Sequence, residues 1–142
     1  MRISDVAKDA GVGVETVRFY EQRGLIARPP RPRTGGYRDY PSAAVRRIRF
    51  IRRAQQLGFS LAEIVELLEL ESDGDSACID VRRRAEAKLD EVLTKIGDLA
   101  RIKGALEALI DACPGEGPAR KCSILEAISD GNLQLNSEKD GE

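Results

Sequence analysis

The chain has 142 residues, one third of them charged, with three cysteines and no histidine; this length suits one small domain or two very small ones with a modest core. Its net charge of −1 hides an imbalance, because residues 1–58 carry 13 Lys/Arg against 5 Asp/Glu while residues 59–142 carry 10 against 19. No apolar run approaches the roughly 20 residues of a membrane span, and Arg2 followed by a polar amphipathic stretch predicts no secretory signal. A cytoplasmic chain with no membrane partner and reduced thiols is therefore expected.

Charge of one sign gathered in one small segment is the electrostatic footprint of phosphate binding. The first unit, "ISDVAKDAGVGVETVRFYEQRGLI", places Ile3, Val6 and Ala7, then Val14, Val17 and Leu25, in two short helical stripes broken by Gly11 and Gly13. Two short helices joined by a glycine turn predict a helix-turn-helix, with Glu15, Thr16, Arg18, Tyr20 and Arg23 facing outward from the second helix. Arg18 has the reach and paired donors for a guanine edge or a phosphate, and the Tyr20 hydroxyl can donate to phosphate. The next stretch, "ARPPRPRTGGYRDYPSAAV", excludes regular helix through its prolines. The paired glycines of "TGGYR" mark a tight turn, and Arg28, Arg31, Arg33 and Arg38 interleave with Tyr37 and Tyr40 to form a basic loop or short hairpin, a wing.

Residues 42–57 predict a helix with Val45, Ile48, Ile51 and Leu57 on one side and five arginines, at 46, 47, 49, 52 and 53, on the other. "SLAE" at 60–63 has the form of a capping box and opens a helix that turns Ile64, Leu67 and Leu68 inward. After a break at "SDGD", a proline-free helix is expected from Ile79 to Ala112. Its seam of Ala85, Leu89, Val92, Ile96, Leu99, Lys103, Leu106 and Ile110 has the alternating four-and-three spacing of a coiled coil, with Lys103 as the polar exception. So long an apolar seam calls for a second copy of the chain. The chain is thus expected to divide into a DNA-binding domain at 1–70, a hinge at 71–78, a dimerisation helix at 79–112, a metal-binding loop and short helix at 113–129 and a polar tail at 130–142.

Cys78 stands at the start of the long helix; Cys113 and Cys122 flank a loop, "PGEGPARK", past its end. At 1.5 Å per residue the helix separates Cys78 from Cys113 by about 50 Å, whereas sulfurs sharing a metal lie about 4 Å apart. The heptads alone do not choose a parallel or an antiparallel pair. An antiparallel pair would set Cys78 of one subunit beside Cys113 and Cys122 of the other, giving two sites across the interface. Three thiolates without imidazole suit a soft ion: mercury(II) first, then lead(II) and cadmium(II), with zinc(II) further off because it usually completes a fourth ligand. Arg120, Lys121 and a helix starting at Cys122 are expected to favour thiolate.

In order, spacing and residue type, the stretch at 3–26, "GGYRDY", "RRIRFIRRAQQLGFSLAEIVELL" and the long helix closing in a cysteine loop resemble the MerR family of transcription regulators along nearly the whole chain. The set Cys78, Cys113 and Cys122 resembles that of the mercury-responsive members. Copper-responsive members have a serine where Cys78 stands, and zinc-responsive ones add a second cysteine beside the first loop cysteine and a loop histidine. Some lead and cadmium sensors share all three positions, and the loop interior departs from the usual mercury-sensor wording.

The resemblance implies a mainly α fold: a winged helix-turn-helix domain, a long antiparallel coiled-coil dimerisation helix and a C-terminal metal-binding loop. It further implies a homodimer on a two-fold symmetric operator in promoter DNA, repressing without metal and, with metal, distorting the DNA so that RNA polymerase can open it. Arg18, Tyr20, Tyr37, Arg38, Glu15 and Arg33 match the positions of DNA contacts. A thiol metal-buffering dimer without DNA function is the alternative from another class, against which the basic first half argues. No catalytic base, nucleophile pair or phosphate-cradling loop suggests an enzyme.

Overall fold

A computed structural model describes residues 1–75, 77–131 and 133. The described chain is helical, and no strand occurs among the described residues. It divides into two units, Met1–Lys88 and a second that begins at Leu89.

In the first unit α1 spans Ile3–Ala10 and α2 spans Val14–Gln22. The Asp5 carboxylate accepts the Arg2 amide at 3.2 Å, satisfying a free donor at the start of α1. Gly11 ends that helix at φ 74°, a left-handed conformation that glycine adopts without cost. The turn brings α2 across α1, and Val6, Val17 and Leu25 close over Ile48, Ile51 and Ile64, all essentially without solvent contact. These last three come from α3 (Ala43–Gln56) and α4 (Leu61–Ser72). Ser60 caps α4 as expected: its hydroxyl accepts from the Glu63 amide at 3.2 Å and the Glu63 carboxylate accepts from the Ser60 amide at 2.8 Å.

Two inward assignments change. Leu57 is 68% exposed, because α3 stops at Gln56 and the chain turns away through Gly58 at φ 97°. Leu67 is only half-buried and joins Leu57, Phe50, Phe59 and Val81 along an open apolar groove of about 830 Å3.

The wing is irregular rather than a hairpin. Gly35 and Gly36, at φ 84° and 100°, make its tip. Arg38 Nε donates to the Pro29 carbonyl at 2.8 Å across its two limbs. Its returning end is tied to the first residue: the Tyr40 amide donates to the Met1 carbonyl at 2.7 Å, and the Met1 amine donates to the Tyr40 carbonyl at 3.1 Å and to Asp39 at 2.5 Å.

Helix α5 runs unbroken from Cys78 to Ala112, one residue longer at its start than expected. Its turns within the first unit are joined to α4 by Arg84–Glu66 and Lys88–Glu63 ion pairs, the second at 2.8 Å. In the second unit α5 buries none of its residues: Leu89, Val92, Ile96, Leu99, Leu106 and Ile110 are all exposed. Beyond it lie a single 3-10 turn at Ala119–Lys121 and α6, Ser123–Asp130. Most of the expected polar tail, residues 132 and 134–142, falls outside the described residues.

Candidate nucleic-acid face and thiol loop

The exposed side of α2 and the wing meet around a cavity of about 290 Å3. Arg18, Tyr37 and Arg38, three of the expected DNA contacts, line it together with Arg28 and Arg31. Four guanidinium groups around one recess, with the exposed Tyr37 ring at its edge, form a surface suited to a phosphate backbone. Tyr37 is 67% exposed, and the Arg2 guanidinium lies over its ring at 4.2 Å, which restrains the ring without covering it. Glu15 and Arg33 are exposed but lie outside the cavity lining.

Tyr20 departs from its expected outward position. It is 3% exposed and its hydroxyl donates to Gln55 Oε1 at 3.0 Å. The reason is helical spacing: Tyr20 follows Val17 by three residues and shares its inward face, whereas Arg18 points away. Tyr20 thus fixes α2 against α3 instead of presenting its hydroxyl to phosphate.

Three roles were not visible in the sequence pattern. Arg47 Nη1 donates to the Leu25 carbonyl at 3.0 Å and Arg49 Nη2 to the Asp9 carbonyl at 2.8 Å, so two of the five α3 arginines bind backbone oxygens near the ends of the helix-turn-helix. Glu21 accepts a hydrogen bond from the Tyr40 hydroxyl inside the arginine cluster. A basic helical stripe signals its charge but not which guanidinium reaches a carbonyl.

In the second unit the glycines of the loop take positive φ, 81° at Gly115 and 99° at Gly117, and fold the chain back from Cys113 to Cys122. Both thiols are half-buried, and they form no disulfide with each other. Cys122 occupies the N-cap position of α6. Its sulfur makes no regular capping bond, yet the Leu125 and Ile124 amides, with the Cys113 thiol beside it, hold its pKa below the usual thiol value against partial burial and Glu126. The helix start thus acts as expected. Lys121 and Arg120 are not among the causes, since the depression comes from backbone amides and the neighbouring thiol.

Cys78, the first residue of α5, is exposed in the first unit. Among the described residues no three metal-ligating side chains converge within the chain. Beside Cys122, the Ser123 hydroxyl is buried without a hydrogen-bond partner; such orphaned groups cost about 1–3 kcal/mol and are uncommon. Two adjacent thiols, one biased toward thiolate, fit a soft cation better than a hard one.

A helix-turn-helix with a wing and an arginine-lined recess defines a DNA-binding transcription regulator. The model for the MerR HTH family regulatory protein matches residues 1–71, and that for the MerR DNA-binding region matches residues 45–109. A mercuric resistance operon regulatory protein of Pseudomonas fluorescens is 44% identical over 131 residues, covering 92% of this chain and 89% of its own length. The transcription regulator PbrR691 of Ralstonia metallidurans CH34, solved with lead(II), is similar with a TM-score of 0.80 and 34% identity over 90% of this chain and 98% of its own. The regulator MerR of Bacillus megaterium MB1, solved with mercury(II), has a TM-score of 0.69 and 35% identity over 91% and 99%. The chain belongs to the MerR family of transcription regulators, and it is a regulator rather than an enzyme.

Proposed function

We propose that this chain is a mercury(II)-responsive regulator that works as a homodimer on a two-fold symmetric promoter operator, holding the promoter silent without metal and activating it when metal binds. Cys113 and Cys122 of one subunit and Cys78 of the other would hold the ion, once at each end of the dimer. The observation that carries this reading is the thiol pair itself: Cys122 is biased toward thiolate, Cys113 lies beside it, and the chain has no histidine to recruit a harder ion. The unbroken α5 between Cys78 and Cys113, with its exposed apolar seam, supports placing the third ligand on a second copy. An antiparallel pair of α5 helices would cover that seam.

Cys78 begins the helix whose first turns are tied to α4 by the Lys88–Glu63 and Arg84–Glu66 pairs. A ligand drawing Cys78 toward a second subunit would therefore act on the same element that supports the DNA-binding unit. Such coupling requires two arrangements of the dimer, one of which binds metal better by the coupling free energy. Bending and untwisting of the operator would then act through DNA deformability, and RNA polymerase would open the altered promoter. Arg18, Tyr37 and Arg38 are the contacts we assign to DNA, with Glu15 and Arg33 at the edge of that surface. The cytoplasm is the compartment consistent with reduced thiols, and no described helix is long and apolar enough to cross a membrane.

The similarity to a lead(II)-bound regulator favours a second reading, in which lead(II), or cadmium(II) with the same ligands, is the effector; zinc(II) ranks below both. Titrating the reduced dimer with mercury(II), lead(II), cadmium(II), zinc(II) and copper(I), reading metal affinity and promoter activation together, separates these readings. Activation by mercury(II) at the lowest free concentration is expected. Activation by lead(II) alone would transfer the assignment, and activation by none of them would end the metal reading.

A further inference from the structure

Glu21 is a carboxylate set among arginines that it does not pair with. It lines the 290 Å3 cavity with Arg18, Arg28, Arg31 and Arg38, and a smaller recess of about 130 Å3 is formed by Arg18, Glu21, Gln22 and Arg28 alone. Among the described residues no ion pair joins Glu21 to any of these guanidinium groups. Its carboxylate instead accepts the Tyr40 hydroxyl. Coulomb attraction at close range favours a guanidinium over a neutral phenol, so this preference needs a structural cause.

Tyr40 supplies one. The residue is 4% exposed, and its backbone is clamped to Met1 through both its amide and its carbonyl, so the hydroxyl has little freedom to leave the carboxylate. Burial first, then Glu21, pushes the phenol up to about 12, against the opposing charges of Arg38 and Arg28. It therefore stays a protonated donor throughout the neutral range.

We propose that Tyr40 is a positioning residue that holds the Glu21 carboxylate away from Arg18 and Arg28, leaving both guanidinium groups available to DNA phosphate. A carboxylate free to swing would compete with phosphate for the same donors. Glu21, in turn, limits how strongly the cluster attracts DNA of any sequence. The inference rests on the reading that the Arg18–Tyr37–Arg38 face meets DNA.

The test is a double-mutant cycle in the full-length protein, read as affinity for a labelled duplex from the region upstream of its own gene at several salt concentrations. A mixed-sequence duplex serves as control. Tyr40→Phe should weaken binding by about tenfold and lower the salt slope by about one, as expected when one phosphate contact is lost. Glu21→Gln, which keeps an acceptor but removes the charge, should bind both duplexes more tightly. Tyr40→Phe added to Glu21→Gln should then cost little, because no carboxylate remains to invade the cluster.

An equal loss from Tyr40→Phe in both backgrounds would mean that the tyrosine acts by packing alone and would overturn the proposal. If Tyr40→Phe does not fold, Glu21→Gln still decides: unchanged affinity for both duplexes contradicts the inference. Arg18→Ala tests the underlying reading separately. Lost affinity keeps this face on DNA, and unchanged affinity removes the reading and the proposal together.

Discussion

At the scale of single residues, two ionisable groups take their character from their immediate surroundings: Cys122 from backbone amides and a neighbouring thiol, Tyr40 from burial and then Glu21. The Cys122 thiol, its pKa lowered by the Leu125 and Ile124 amides, should be alkylated by iodoacetamide at neutral pH before the more exposed Cys78. Mass-spectrometric time courses would show the order, and Cys78 reacting first would mean that exposure outweighs thiolate character. Tyr40 gives a pH effect of the opposite kind. Its folded-state pKa lies near 12, above the ordinary value of 10.0, so the stability it confers is complete below pH 10 and is lost as pH rises through 12. By linkage the loss is about 2–3 kcal/mol. Urea unfolding at pH 9 and pH 11.5 should show a steeper decline for the wild type than for Tyr40→Phe, and parallel declines would contradict the assignment. Neither effect could be read from residue order. The sequence marks Cys122 as lying at a helix start, but which amides face the sulfur, and which carboxylate meets Tyr40, depends on folded geometry.

At the scale of elements, periodicity carried most of the information. The stripes of Ile3, Val6 and Ala7 and of Val14 and Val17 define two helices, although the second ends at Gln22 and leaves Leu25 beyond it; Gly11 marks the turn, and "SLAE" forms the capping box. These features were legible because each follows from local backbone chemistry. Leu57 was not, because a leucine reads as core until the helix ends one residue before it, and Tyr20 was misplaced because its hydroxyl reads as polar although its spacing from Val17 puts it on the inward face, where Gln55 receives it. The seam of α5 leaves Leu89, Ile96, Leu99, Leu106 and Ile110 exposed within the chain. Covering an exposed leucine or isoleucine there contributes about 1.5–3 kcal/mol, so Leu99→Lys, at a position 64% exposed within the chain, should shift the protein from dimer toward monomer in sedimentation equilibrium. Lys103→Leu should strengthen the pair, since the one polar seam residue now spends its charge on Glu107 at 2.8 Å. An unchanged oligomeric state in both variants would place the dimer interface elsewhere.

At the scale of the whole molecule, a basic DNA-binding unit and an acidic thiol-bearing unit are joined by one uninterrupted helix, and the three cysteines lie in different units: Cys78 in the first, Cys113 and Cys122 in the second. The length of α5 was visible in the sequence, because its proline-free periodic run sets the helix bounds. The ion was not, because in the proposed dimer the arrangement of the three thiolates would depend on how two copies meet. If each metal site is completed by a second subunit, as proposed, mixed dimers will reveal the sharing. In homodimers, Cys78→Ser, Cys113→Ser or Cys122→Ser should each abolish mercury(II)-induced promoter activation while leaving DNA binding intact. A dimer with Cys78→Ser in one chain and Cys113→Ser in the other retains one intact Cys78 opposite one intact Cys113–Cys122 pair. This mixed dimer should bind one mercury(II) ion at near wild-type affinity, whereas recovery of no tight site would rule out a ligand set shared between subunits.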